Sequence, residues 1–236
     1  MEQQIADNVN EVRERIADAA RRSGRDAESV NCVAVTKYLP AGSPIYNAIL
    51  ATGCKDLGEN RPQHLMEKIG LWDGPPVRWH MIGSLQRNKV RKILPHVALI
   101  HSVDSFRLLE AIDRIAVEEG LPSVQVLIEV NISGDVSKKG LAPIDLPSLL
   151  DRSAKQFHNI EICGLMAMAG LMSVADNARR EFASVRELRD NVQSQHEGRF
   201  DLAWLSMGMS RDYEMAIEEG ATHVRVGSSL YKGVDY

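Results

Sequence analysis

Little in this chain calls for a staple, a span or a basic docking face. Only three cysteines occur in 236 residues, at Cys32, Cys54 and Cys163. They are odd in number, scattered, sit among apolar neighbours and form no Cys-x-x-Cys pair, which excludes a disulfide framework and a cysteine zinc site. They read as buried free thiols in a reducing compartment. No apolar run approaches the ~20 residues of a membrane-spanning helix. The opening Met1-Glu-Gln-Gln-Ile has acid and amide where a secretory signal needs a basic patch and an apolar core. Lys and Arg number 28 against 32 Asp and Glu, a formal charge of -4, so nothing favours a nucleic-acid partner or an anionic membrane surface. His64, His96, His158 and His196 show no metal spacing with one another or with cysteine. There is no low-complexity tract and no Pro/Ser-rich linker. The expectation is one cytoplasmic domain over residues 1–236, with no metal, no nucleic acid and no membrane.

What the chain does have is alternation. Ile5, Val9, Val12, Ile16 and Ala19 recur at helical spacing and predict a helix over 2–22, ended by Ser23-Gly24. A strand at 30–37 follows, then a helix at 43–52, a short strand ending in Glu59-Asn60 and a helix at 62–70. Further strands are expected at 77–82, 97–101, 124–130, 160–166, 202–205 and 223–226. Between them fall helices at 86–94, 105–119, 146–156, 175–194 and 211–219. Near-continuous apolar strands are buried on both faces, as parallel strands are. Eight βα units predict an α/β fold, a (β/α)8 TIM barrel with an extra N-terminal helix. A doubly wound open sheet stays the alternative, because periodicity does not report closure.

Barrel chemistry sits at the C-terminal strand ends. Val33-Ala-Val-Thr-Lys-Tyr-Leu-Pro40 delivers one amine there, Lys37. Two readings are open: a solvated residue after a buried strand, or a functional amine. The last two strands run into Trp204-Leu-Ser-Met-Gly-Met-Ser210 and Val224-Arg-Val-Gly-Ser-Ser229. The loops after the last two strands of a barrel recurrently hold phosphate, through backbone N–H groups and a helix N-terminus. Hydroxyls of Ser206, Ser228 or Ser229 would add donors. The plainer alternative is a pair of tight turns with N-cap serines. An amine plus an anion cradle is what pyridoxal 5'-phosphate (PLP) requires. Arg225 is the candidate partner for its pyridine nitrogen, or else a structural ion-pair residue.

These residues stand within a longer set of motifs: Val33-Ala-Val-Thr-Lys37, Gly58-Glu-Asn60, Trp79-His-Met-Ile-Gly-Ser-Leu-Gln-Arg-Asn-Lys89, His101-Ser-Val-Asp104, Val130-Asn-Ile-Ser-Gly134 with Ser137-Lys138, Gly164-Leu-Met166, and Leu205 through Gly220 running on into Val224–Gly227. On them the chain resembles the pyridoxal phosphate homeostasis proteins, the YggS/PROSC family. The resemblance implies a PLP-binding barrel of the fold-type III, alanine-racemase kind. It implies a Schiff base on Lys37, Arg225 facing the pyridine nitrogen, and Ser206, Gly227 and Ser228 on the phosphate with N–H help near Met207 and Ser229. It places Asn60 and His80 near the ring and gives Lys138 a part in PLP transfer. Departures at Arg61-Pro62, Ala169-Gly170 and Tyr231-Lys232 touch none of these.

Fold-type III racemases carry a second, β-rich domain and a tyrosine from the partner subunit; with Tyr236 so soon after the last strand, that domain is not expected here. Racemisation by two bases needs a group on each face of the substrate carbanion, and no motif supplies the second. The expectation is a monomeric PLP carrier for storage, buffering or delivery, with apo PLP-dependent enzymes as recipients. A small amino-acid racemase is the alternative. The basic run Arg87–Lys92 reads as a solvated helix face rather than a docking surface.

Overall fold

The computed structural model describes residues 1–133, 139–170 and 175–234. Eight strands, β1 Asn31–Val35, β2 Asp56–Glu59, β3 Arg78–Met81, β4 Val97–Val103, β5 Val124–Glu129, β6 Ile160–Met166, β7 Trp204–Met209 and β8 His223–Val226, close in chain order into one parallel barrel. The seam is β8 on β1, with Asn31 opposite His223 and Val33 opposite Arg225. Closure settles the choice between barrel and open sheet.

Helix α1 spans Glu2–Arg22, the expected bounds. Around the barrel follow α2 Ile45–Ala51, α3 Pro62–Gly70, α4 Val90–Ile93, α5 Phe106–Glu118, α6 Leu146–Gln156, α7 Ala175–Gln195 and α8 Tyr213–Glu218. After β8 the described chain makes turns rather than a helix. Helix α1 takes that place in the ring, packed on α2 and α8. Its buried stripe is Ile5, Val9, Val12 and Ile16, each side chain contributing ~1.5–3 kcal/mol. Asn8 donates from Nδ2 to the carbonyls of Leu230 at 3.1 Å and Lys232 at 2.9 Å, tying the C-terminal turns to α1. Among the described residues no helix is long and apolar enough to cross a membrane.

Strand alternation divides the core in two. Outward residues such as Ala34, Leu57, Met81, Ile100, Leu165 and Val226 form the large strand–helix layer. The barrel inside holds a small apolar cluster, Leu99, Leu127, Cys163 and Met166 with Trp204 packed on it. The rest of the interior is polar and is described below.

Strand β1 ends at Val35, two residues before the expected limit at Lys37, and β4 runs two residues further, to Val103; two other differences are larger. The helix expected over 86–94 is a 3-10 turn, Arg87–Lys89, one turn of α4, and a second 3-10 turn, Leu94–His96. Pro95 has no N–H to give and disfavours helix in the residue before it. Strand β7 starts two residues later than expected and runs on to Met209. Ser206 and Met209 pair with His223 and Arg225 on the neighbouring β8, so the Ser206–Met209 stretch read as a turn is strand. Gly208 makes this possible, with φ of 89° and α8 directly above it.

A Cβ on Gly208 would lie 2.6 Å from the Ala216 Cβ and 2.8 Å from the Tyr213 Cα. Gly120 has a similar φ of 62° but nothing within 4 Å. Gly208→Ala is expected to cost about 3 kcal/mol, from backbone strain plus crowding, and Gly120→Ala about 1 kcal/mol from strain alone. Urea unfolding of both variants measures this; equal losses would exclude crowding at Gly208.

Candidate functional site

The seam sets the site. Lys37 follows β1 by two residues and is half-buried. By register it stands beside the turn Gly227–Ser229 that follows β8. Glycine at 227 lets the two strand ends close up, since a Cβ there would sit 3.4 Å from the Val35 Cβ. The Lys37 ammonium lies 4.8 Å from the centre of the Tyr38 ring. It makes no hydrogen bond or ion pair among the described residues. Asn60, the first residue past β2, is also half-buried. Gly83 runs against it so closely that a Cβ would be 2.2 Å from the Asn60 carbonyl oxygen, and Ser102 Oγ holds the Gly83 carbonyl at 2.6 Å.

At the turn, two backbone N–H groups converge on one oxygen. Gly227 donates to Ser210 Oγ at 3.1 Å and Ser229 at 3.4 Å, while Ser229 Oγ donates to the Ser210 carbonyl at 3.4 Å. Convergent N–H groups of this kind favour an anion's oxygen. Ser228 is exposed and its hydroxyl makes no hydrogen bond among the described residues. Sequence reasoning passed over Ser210. The signal was there, because reading β7 through Met209 puts Ser210, not Ser206, at the strand end. The helix N-terminus expected near Arg211 comes at Tyr213, and Asp212 already accepts from the Met209 N–H at 2.6 Å.

Ser206 is fully buried inside the barrel. Its hydroxyl meets His101 Nδ1 at 2.8 Å and accepts from Arg225 Nη1 at 2.6 Å. Its place is behind Arg225, not at the mouth; this departs from the phosphate role that the resemblance implied. Arg225 also donates to the carbonyls of Ser206 at 2.7 Å and Ala167 at 3.0 Å. Its Nε makes no hydrogen bond among the described residues. Burial pushes the guanidinium pKa down to about 10, with Asp212 and Glu129 opposing, so it stays a cation at neutral pH.

The chain of contacts continues across the barrel. His101 Nε2 lies 2.9 Å from His80 Nδ1, and His80 Nε2 lies 2.8 Å from Asp56 Oδ1. Arg78 Nε donates to the same Asp56 oxygen at 2.6 Å. Burial works against the Asp56 carboxylate, but the bonds from His80 and Arg78 prevail and hold it below the usual range. Proton positions follow from the acceptors. Asp56 accepts from His80 Nε2, and His80 Nδ1 accepts from His101 Nε2. His101 then accepts from the Ser206 hydroxyl. Burial and the neighbouring His80, His223 and Arg225 keep His101 neutral by driving its pKa well down. His80 thus lies below the mouth with both ring nitrogens used.

Met207 lies within β7, its side chain buried in the strand–helix layer; the converging N–H groups belong to Gly227 and Ser229. Lys138 lies outside the described residues. In the Arg87–Lys92 run, Arg91 pairs with Glu118 and Glu119, as a solvated helix face does. Among the described residues no group of three His, Cys, Asp or Glu could hold a metal ion.

The chain matches the model of the alanine racemase N-terminal domain over residues 3–235. It is 39% identical to the pyridoxal phosphate homeostasis protein of Pseudomonas aeruginosa, over 98% of this chain and 96% of that protein. The protein of that name from Escherichia coli K12 is 35% identical, over 98% and 97%. The structure of PipY from Synechococcus elongatus with PLP bound superposes with a TM-score of 0.82 at 36% identity, covering 96% of this chain and 99% of that one. Alanine racemase from Corynebacterium glutamicum shares the fold at 15% identity, with a TM-score of 0.69, over all of this chain and 63% of its own.

The interior histidines make stability depend on pH. His223 lies in the same polar core, 6.1 Å from the His101 ring centre. Burial, then the neighbouring His80, drives its pKa from 6.5 down to about 4. A depressed histidine leaves the unfolded chain binding more protons than the native one, so stability is full above pH 6.5 and falls toward pH 4. His223 alone is expected to contribute roughly 3 kcal/mol across that window. Urea midpoints from pH 7 to pH 4.5 should drop, and drop less in His223→Asn; identical slopes would exclude His223 as a source.

Proposed function

The chain belongs to the pyridoxal phosphate homeostasis protein family, and on that premise we propose that its barrel mouth holds PLP for storage, buffering or delivery, without turnover. The observation that carries this is the pair of N–H groups of Gly227 and Ser229 converging beside Lys37. An anion cradle and an amine share one lip.

When bound, PLP supplies an aldehyde for Schiff-base formation and a pyridine ring that accepts electrons. Lys37 provides the amine. The N–H groups of Gly227 and Ser229, with the hydroxyls of Ser210 and Ser228, hold the phosphate. Asn60 flanks the ring. Arg225 offers its unengaged Nε to the pyridine nitrogen, and Ser206 with His101 and His80 keeps the guanidinium in place. An arginine does not surrender its proton at neutral pH, so the pyridine nitrogen stays unprotonated and the ring a weak electron sink. That suits holding the cofactor more than driving carbanion chemistry. Recipients would be apo PLP-dependent enzymes, with the chain acting as a monomer in the cytoplasm.

Purified protein incubated with PLP is expected to gain the visible band of a protonated Schiff base. Borohydride should fix one PLP per chain on the peptide containing Lys37, and Lys37→Ala should give no adduct. Ser210→Ala is expected to raise the PLP dissociation constant about tenfold, the loss of one hydrogen bond to a charged group. An adduct on another lysine, or α-proton exchange of an amino acid with turnover dependent on Lys37, would replace this reading with a different site or a racemase.

A further inference from the structure

Two buried charges lie outside that site. Glu59, at the end of β2, is fully buried and Lys68, in α3, is 4% exposed. They form an ion pair in the strand–helix layer. Burial pulls the Lys68 ammonium pKa down, against the hydrogen bond it donates to Glu59, which raises it. Stability alone is a poor reason for such a pair, since apolar side chains of similar size often serve as well. The Glu59 Oε2 atom is buried with no hydrogen-bond partner, which makes the carboxylate still less economical.

What the pair touches is the residue before Lys37. Thr36 Oγ1 donates to Glu59 Oε1 at 2.5 Å, and Lys68 Nζ donates to the Thr36 carbonyl at 2.7 Å. The Thr36 N–H donates to the Gly58 carbonyl at 3.0 Å, and the Leu39 N–H reaches the Thr36 carbonyl at 2.8 Å. One residue earlier, Tyr231 donates its hydroxyl to the Val35 carbonyl at 2.9 Å. Every polar group of Thr36 is therefore held. Thr36 and Glu59 meet Lys68 on the helix side, and Lys37 leaves the chain in the turn that the Leu39 N–H closes on the Thr36 carbonyl.

We infer that Glu59 and Lys68 are positioning residues for Lys37. They clamp the Thr36 peptide from the helix side and fix the direction in which the lysine leaves the backbone. This rests on the reading of Lys37 as the Schiff-base amine. A lysine has four side-chain torsions to order; a fixed root reduces the entropy lost when its amine meets an aldehyde already held by its phosphate.

The test compares three full-length variants with the native chain. Glu59→Gln with Lys68→Met removes both charges and the bond to the Thr36 carbonyl. Thr36→Val removes the hydroxyl, and Thr36→Ser keeps it. In the absence of PLP, amide exchange at Leu39 should speed about tenfold in the double variant while the urea midpoint stays close to native. With PLP, Schiff-base formation at Lys37 should slow about tenfold in the double variant and in Thr36→Val. The circular dichroism that the fixed cofactor shows in its visible band should weaken, and Thr36→Ser should behave as native. Native exchange, rate and dichroism in the double variant would overturn the inference. So would a slowing that merely tracks a lowered midpoint. If the native chain forms no Schiff base on Lys37, the functional reading fails instead, and the exchange measurement still decides whether the pair clamps Thr36.

Discussion

The pairing of β8 with β1 is the contact on which the rest depends. It opposes Val33 to Arg225 and Ala34 to Val226, and so brings together residues that stand nearly two hundred positions apart. Without that seam Lys37 would be an amine at the edge of an open sheet. With it, Lys37 shares a lip with the Gly227–Ser229 turn. The seam is guarded on its outer side by α1, which takes the ring position left after β8 and holds the carbonyls of Leu230 and Lys232 through Asn8. The extra N-terminal helix thus belongs to the site's support.

Inside the barrel the second constraint is polar satisfaction. A buried donor or acceptor left unpaired is costly, and this interior carries three histidines, a serine, an aspartate, a glutamate and an arginine. One direction of hydrogen bonding pairs the linear set: Arg225 to Ser206, Ser206 to His101, His101 to His80, His80 to Asp56. Each link commits the next, so the orientation of Arg225 at one end is tied to the ionisation of Asp56 at the other. A second proton on His101 would turn Nδ1 into a donor and leave Ser206 accepting from both His101 and Arg225. The depressed pKa values of His101 and His223 are the electrostatic side of the same requirement.

Much of this was legible in the sequence, for reasons that can be named. The bounds of α1, α3, α6, β6 and β8 follow from apolar periodicity and from Gly, Pro and Ser stops. Lys37 stood out because an apolar β-branched run delivers one amine and then breaks at Pro40. The limits of β7 were missed because Gly208 and the flanking serines read as a turn, although Ser206-Met-Gly-Met209 alternates as a strand does. That one misreading moved the strand end from Ser210 to Ser206. The interior relay was invisible for another reason. Its members lie on β2, β3, β4, β7 and β8, and only closure at a given register makes them neighbours. His80 was expected near the ligand for its motif; what its position provides is one link in that relay.

Lys37 is held by two different kinds of environment, and the difference bears on what the site can do. Behind it, Thr36 is locked by Glu59, Lys68 and the Gly58 carbonyl. Ahead of it, the amine meets only the Tyr38 ring among the described residues, and that ring is 65% exposed. A fixed root with an open front suits an amine that must take up and give back a ligand through the mouth. A turnover enzyme of this fold needs the opposite arrangement at the front, with a second acid or base placed across the reacting carbon and water kept out. On the proposed reading Arg225 points the same way, because an arginine keeps its own proton and would leave the pyridine nitrogen unprotonated. On the proposed reading, the same barrel that supports racemisation elsewhere serves here to keep a reactive aldehyde bound, and the rigidity lies in the backbone beneath the lysine.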